Sequence, residues 1–142
     1  MRLYLDTSAL AKRYIQEPGS REVIERSRLA SQVIVSSLCV PELISALCRL
    51  GRERKLSNKD YEDIKVDLAN DLSAATVVEP DTAVIRQAIR CMEAEPLRTL
   101  DAIQIASALE AGCDLFLSSD RQQCRSAKLL NLAVEQVGFT RR

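Results

Sequence analysis

Arg2-Leu3-Tyr4-Leu5-Asp6-Thr7-Ser8 constrains this chain more than any other stretch. Apolar residues run straight into an acid and two hydroxyls follow. Ala9-Leu10-Ala11-Lys12-Arg13-Tyr14-Ile15 then carries a helical pattern. A near-continuous apolar run suits a strand covered on both faces. Ending such a strand in a carboxylate, with a helix opening just beyond, puts the acid at the carboxyl edge of a sheet. In open α/β sheets, ligands bind outside that edge.

The rest of the chain repeats the alternation. Strands are expected over about residues 2–6, 32–36, 76–79, 114–118 and 132–137. Between them lie helical patterns over about 8–16, 20–30, 37–50, 58–74, 82–94, 99–111 and 121–130. Glu17-Pro18-Gly19 ends the first helix, since Pro and Gly both punctuate. Ser20 caps the second, with Val23, Ile24 and Leu29 on its inner face. Ser36 or Ser37 caps the third, Pro41 falls in about its first turn, and Gly51 closes it. Ser57, Asp81 or Thr82, and Thr99 cap later helices; Gly112 stops the helix that Thr99 opens. Strands alternating with helices, with no repeat and no linker, predict an α/β fold. The expectation is one domain over residues 1–142: a three-layer α/β/α sandwich around a mostly parallel central sheet.

Composition removes several kinds of chemistry. There is no histidine, so Ser-His-Asp and Cys-His nucleophilic sites and His-ligated zinc are excluded. Five cysteines stand at 39, 48, 91, 113 and 124, with no Cys-x-x-Cys, which favours core residues in a reducing compartment over disulfides or zinc. Acid-base or metal work falls to carboxylates, which suit hard ions such as magnesium or manganese. The 20 basic and 20 acidic residues balance, so the surface as a whole does not attract nucleic acid and only a local basic group would. No apolar run is long enough to span a membrane and the N-terminus does not read as a signal peptide, so the expected location is the cytoplasm.

Four acids recur at the ends of strands or the starts of helices. Asp6 follows the first strand and Asp120 the fourth. Glu42 and Asp101 fall in first turns. Each has an ordinary explanation, because helix starts favour acids whether or not a site is near. Their surroundings add to that. Glu42 sits among Leu38, Val40, Leu43 and Ile44. Asp101 opens Ala102-Ile103-Gln104-Ile105-Ala106-Ser107-Ala108-Leu109, nearly apolar except for Gln104 and Ser107. Like charges gathered at one edge repel unless a cation intervenes. A divalent ion there polarises a phosphodiester and activates a water for in-line attack on phosphorus.

With these blocks in view, the chain resembles the PIN-domain ribonucleases, and most of all the VapC toxins of toxin–antitoxin pairs. The resemblance rests on Leu5-Asp6-Thr7-Ser8, Pro41-Glu42-Leu43, Arg98-Thr99-Leu100-Asp101-Ala102-Ile103-Gln104-Ile105-Ala106 and Leu117-Ser118-Ser119-Asp120, in that order. It implies a magnesium-dependent endoribonuclease, with manganese able to substitute. It also implies an RNA substrate, a homodimer and a cognate antitoxin that covers the site. Within it Asp6 and Asp101 lead the metal ligands, Asp120 joins them, and Glu42 completes the catalytic acids; Thr7 or Ser119 orients ligands or water. Relatives often carry a further acid close to the last one, whereas here Arg121-Gln122-Gln123-Cys124 follow Asp120.

Arg98 and Arg121 each lie within three residues of a site acid, which makes them candidates for phosphate contact or for charge balance in the pocket. Arg52-Glu53-Arg54-Lys55 and Arg141-Arg142 are further basic groups. The rival expectation is a PIN-like module that binds RNA or a protein without cutting.

Overall fold

The computed structural model describes residues 1–138. Five strands form one sheet: β1 (Arg2–Leu5), β2 (Gln32–Ser36), β3 (Thr76–Val78), β4 (Leu115–Ser118) and β5 (Val134–Gln136). Seven helices connect or flank them: α1 (Thr7–Ala11), α2 (Ser20–Leu29), α3 (Cys39–Arg52), α4 (Asn58–Ala74), α5 (Thr82–Ala94), α6 (Thr99–Ala111) and α7 (Arg121–Leu129). The sheet order is β3-β2-β1-β4-β5 and every pairing is parallel.

Register sorts the side chains into two cores. Tyr4 pairs with Ile34 on one side and Phe116 on the other. These three point to one face, under α5, α6 and α7. Leu3, Leu5, Val35 and Leu117 point to the opposite face, under α1, α2, α3 and α4. Successive strand side chains face opposite ways, so a sheet covered on both faces needs both sets apolar, and the strands are. The three layers expected from the sequence are therefore present.

The strand order decides where ligands can go. From β1 the chain moves outward through β2 to β3, then returns to β4 on the other side of β1. This reversal opens a crevice beyond the carboxyl ends of β1 and β4. Leu5 pairs with Leu117, and the Asp6 N–H donates to the Leu117 carbonyl at 3.2 Å. Asp6 and Asp120 thus leave the sheet at the same point.

Several element expectations shift. α1 is a short helix that ends at Ala11, well before Glu17-Pro18-Gly19, and turns carry the chain to Ile15. On α2, Val23 is buried but Ile24 and Leu29 are 49% and 63% exposed, so the inner face is narrower than the apolar pattern predicts. α3 has Leu38 rather than a serine at its N-cap, although the Ser36 hydroxyl accepts from the Leu38 N–H at 3.2 Å. α3 also runs through Gly51 to Arg52. α6 begins at Thr99, with Arg98 at its N-cap. Arg141-Arg142 lies outside the described residues. All five cysteines are free, as expected of core residues, with Cys39, Cys91 and Cys124 buried. Among the described residues, no helix is long and apolar enough to cross a membrane.

Candidate active site

Four elements deliver the four acids to one place. Asp6 is the N-cap of α1, and its Oδ1 accepts from the Ala9 N–H at 3.0 Å. Asp120 is the N-cap of α7, and its Oδ1 accepts from the Gln123 N–H at 3.0 Å. Glu42 lies in the first turn of α3 and Asp101 in the first turn of α6. All four line a cleft of about 170 Å³, together with Thr7, Ser8, Gln104 and Gln123. Standing at a helix start therefore does not keep an acid out of the cleft. The caps fix where the Asp6 and Asp120 carboxylates sit, and the sheet crossover brings both to one cleft.

A larger cleft, about 760 Å³, lies elsewhere, where Arg13 and Tyr14 meet α2 and α4. Its Asp71 already accepts from the Tyr14 hydroxyl at 2.6 Å and lies 3.6 Å from Arg13. Volume alone does not mark the chemistry. The smaller cleft is lined by the four acids.

Electrostatics single out Asp6. Burial pushes its carboxyl up from 3.8 to about 6, and the charge of Asp120 adds to the rise. Hydrogen bonds from Ser118, from Ser8 and from the Ala9 N–H pull the other way; the Ser8 hydroxyl donates to Oδ1 at 2.6 Å. This carboxylate is thus well held in position yet poorly solvated.

Glu42 is held differently. Its Oε1 accepts from the Thr7 hydroxyl at 3.0 Å and from the Gln104 side-chain N–H at 3.1 Å. Thr7 lines the cleft. Ser119 does not: its N–H donates to the Ser8 hydroxyl at 3.0 Å, and it is Ser8 that lines the cleft. Arg98 lies 3.3 Å from Asp101, so the charge-balance role is the one visible.

Two glutamines belong to the site although they stand outside the expected set. Gln104 is the polar break in an otherwise apolar helix, which was the signal available in the sequence. Gln123 stands just past Asp120. Its side-chain N–H donates to the Asp101 carbonyl at 3.2 Å, and its amide oxygen has no partner among the described residues.

The donor set suits a hard divalent cation in kind. It is all oxygen and rich in carboxylate, with a neutral amide oxygen left unpartnered in the same wall. As the side chains stand, no three acidic or cysteine groups among the described residues converge into a ligating cluster. An ion would have to draw them inward. The two cysteines that feel these acids, Cys39 and Cys124, offer no rival chemistry: burial holds Cys39 at about 12, with Glu42 adding, and Cys124 at about 11, so both thiols stay protonated.

Comparison with known proteins bears on this cleft. The PIN domain profile matches residues 3–129, which includes all four acids. Ribonuclease VapC49 of Mycobacterium tuberculosis is 30% identical over 110 residues, 78% of this chain and 76% of that protein. In fold, the chain resembles the crystal structure of Mycobacterium tuberculosis VapC20, described as a Sarcin-Ricin loop cleaving toxin. The TM-score is 0.66 at 12% identity, over 92% of this chain and 96% of the other. It also resembles a toxin-antitoxin complex from Klebsiella pneumoniae, with a TM-score of 0.62 at 14% identity over 85% and 88% of the two chains.

Proposed function

Since the chain belongs to the PIN domain family, we propose that it is a magnesium-dependent endoribonuclease, the toxin of a toxin–antitoxin pair. The observation that carries this reading is that Asp6, Glu42, Asp101 and Asp120 all line one cleft at the β1–β4 crossover. The names borne by its relatives, ribonuclease and toxin, point the same way.

Asp6, Asp101 and Asp120 would hold magnesium, or manganese in its place. The bound ion supplies the positive charge that lets these acids ionise side by side, and it acidifies a water. The chain's own groups do the rest. Glu42, held by Thr7 and Gln104, is oriented to accept a proton from the water that attacks phosphorus. Ser8 and the Ala9 N–H fix Asp6. Arg98, exposed beside Asp101, would meet the RNA backbone. The partners proposed are RNA, a second copy of this chain, and an antitoxin that covers the cleft. RNA as substrate would place the protein in the cytoplasm.

The unconverged carboxylates favour one other reading, a PIN-like module that holds RNA or a protein without cutting. Cleavage of total cellular RNA, with magnesium and with EDTA, separates the two. The nuclease cuts in magnesium, stops in EDTA, and is silenced by Asp101→Asn without loss of fold. Cutting that survives EDTA, or that survives in both Asp6→Asn and Asp101→Asn, would refute it. A wild-type protein that never cuts would leave the binding module.

A further inference from the structure

Glu42 is placed by a chain of side chains as well as by its helix. Gln104 is buried on α6, 4% exposed, and its amide reaches both ways. The side-chain nitrogen donates to Glu42 Oε1 and to Thr7 Oγ1, each at 3.1 Å. The side-chain oxygen accepts from the Tyr4 hydroxyl at 2.6 Å. Thr7 closes the triangle by donating to the same Glu42 oxygen at 3.0 Å.

The direction of the amide is forced. An ionised carboxylate only accepts, so the amide nitrogen must face Glu42. The oxygen is then left to face Tyr4, which must donate. Tyr4 is itself immobile: it is fully buried in β1 and stacked on Phe116, with ring centroids 5.3 Å apart and planes 4° apart. A rigid strut therefore runs from the sheet's core, through Tyr4 and Gln104, to a carboxylate in the cleft.

We propose that Gln104 is a positioning residue, whose side-chain N–H, fixed in direction by Tyr4, aims the Glu42 carboxylate into the cleft. The inference rests on the nuclease reading and deepens it. The other titratable groups around Glu42 are Asp6, Asp101 and Asp120 across the cleft and Cys39 on its own helix.

The test uses the full chain and a random-sequence oligoribonucleotide pool in magnesium, from pH 5.5 to 9, with wild type, Gln104→Glu, Gln104→Leu and Tyr4→Phe. Gln104→Leu should lose roughly ten- to a hundred-fold in kcat, the scale of a lost supporting hydrogen bond, with KM nearly unchanged. Tyr4→Phe should lose less, because Thr7 and the amide remain. Gln104→Glu is the sharper probe, since it keeps shape and keeps an acceptor for Tyr4. Its new carboxyl can donate to Glu42 only while protonated. That variant should cut at low pH and gain a falling limb, absent in wild type, as pH rises. If Gln104→Glu follows wild type at every pH, or a folded Gln104→Leu cuts at the wild-type rate, Gln104 is merely structural and the proposal is overturned. Should Gln104→Leu fail to fold, as its melting curve would show, Gln104→Glu decides alone. A wild type inert on the pool removes the nuclease reading only. The Glu42 carboxyl carbon resonance then decides the strut: it moves in Gln104→Leu if Gln104 holds it, and stays if not.

Discussion

Asp6 carries opposite demands from folding and from function. Its carboxyl is held at about 6, against 3.8 in water, chiefly by burial. The folded state thus prefers the protonated acid. Without a cation, the stability this group confers is full below about pH 4 and is lost as pH rises through about 6. The difference sets a ceiling of about 3 kcal/mol, at about 1.4 kcal/mol per pH decade. Asparagine keeps an oxygen for the Ala9 N–H and removes the charge. In EDTA at pH 7.5, Asp6→Asn should therefore melt a few degrees above wild type, at about 2–4 °C per kcal/mol, while losing cleavage. At pH 4 the two should melt together. Equal melting at pH 7.5 would show that the carboxylate is not strained. The sequence makes Asp6 visible, because a strand ending in an acid is a local pattern. Its strain is not visible there, since burial depends on α1 and on Ser118 of β4, which lies 112 positions away.

At the scale of elements, capping alone does not mark a site. Asp6, Asp81 and Asp120 are all N-caps whose side chains accept a backbone N–H. Asp81 follows β3 at the sheet's edge, while Asp6 and Asp120 follow β1 and β4 at its crossover. The sequence shows three acids of one kind; strand order separates them. This yields a graded prediction for Asp120. Asp120→Asn should keep the α7 cap and lose cleavage, whereas Asp120→Ala should lose cleavage and about 1 kcal/mol of stability as well. Thermal melting of the pair checks it, and identical melting would mean that the cap contributes nothing. Most element types could be read from period and punctuation. The misses have physical causes. α1 stops early because turns, not Pro18, end it. Ile24 and Leu29 look like core by spacing, yet only one stripe of α2 meets the sheet. Gln104 shows in the sequence only as a polar break in an apolar helix, and Gln123 enters the site through a hydrogen bond from α7 to α6 that no linear pattern records.

At the scale of the molecule, one parallel sheet with a single reversal brings acids from four separate segments to one edge. The three-layer fold was legible because buried parallel strands need apolar residues on both faces. The convergence of the acids was legible only as an inference from where strands end. Apolar side chains left exposed, Ile24 and Leu29 on α2 and Ile85 and Ile89 on α5, suit a protein that associates. Sedimentation at micromolar concentration should show a dimer, and a monomer at every concentration would contradict that part of the proposal. The central claim is that the acidic cleft takes a divalent cation on Asp6, Asp101 and Asp120. Calorimetric titration of the metal-free protein with manganese tests it most directly. Wild type should bind, and Asp6→Asn and Asp101→Asn should each bind far more weakly. A wild type that releases no heat at millimolar manganese, or variants that bind as it does, would contradict the account.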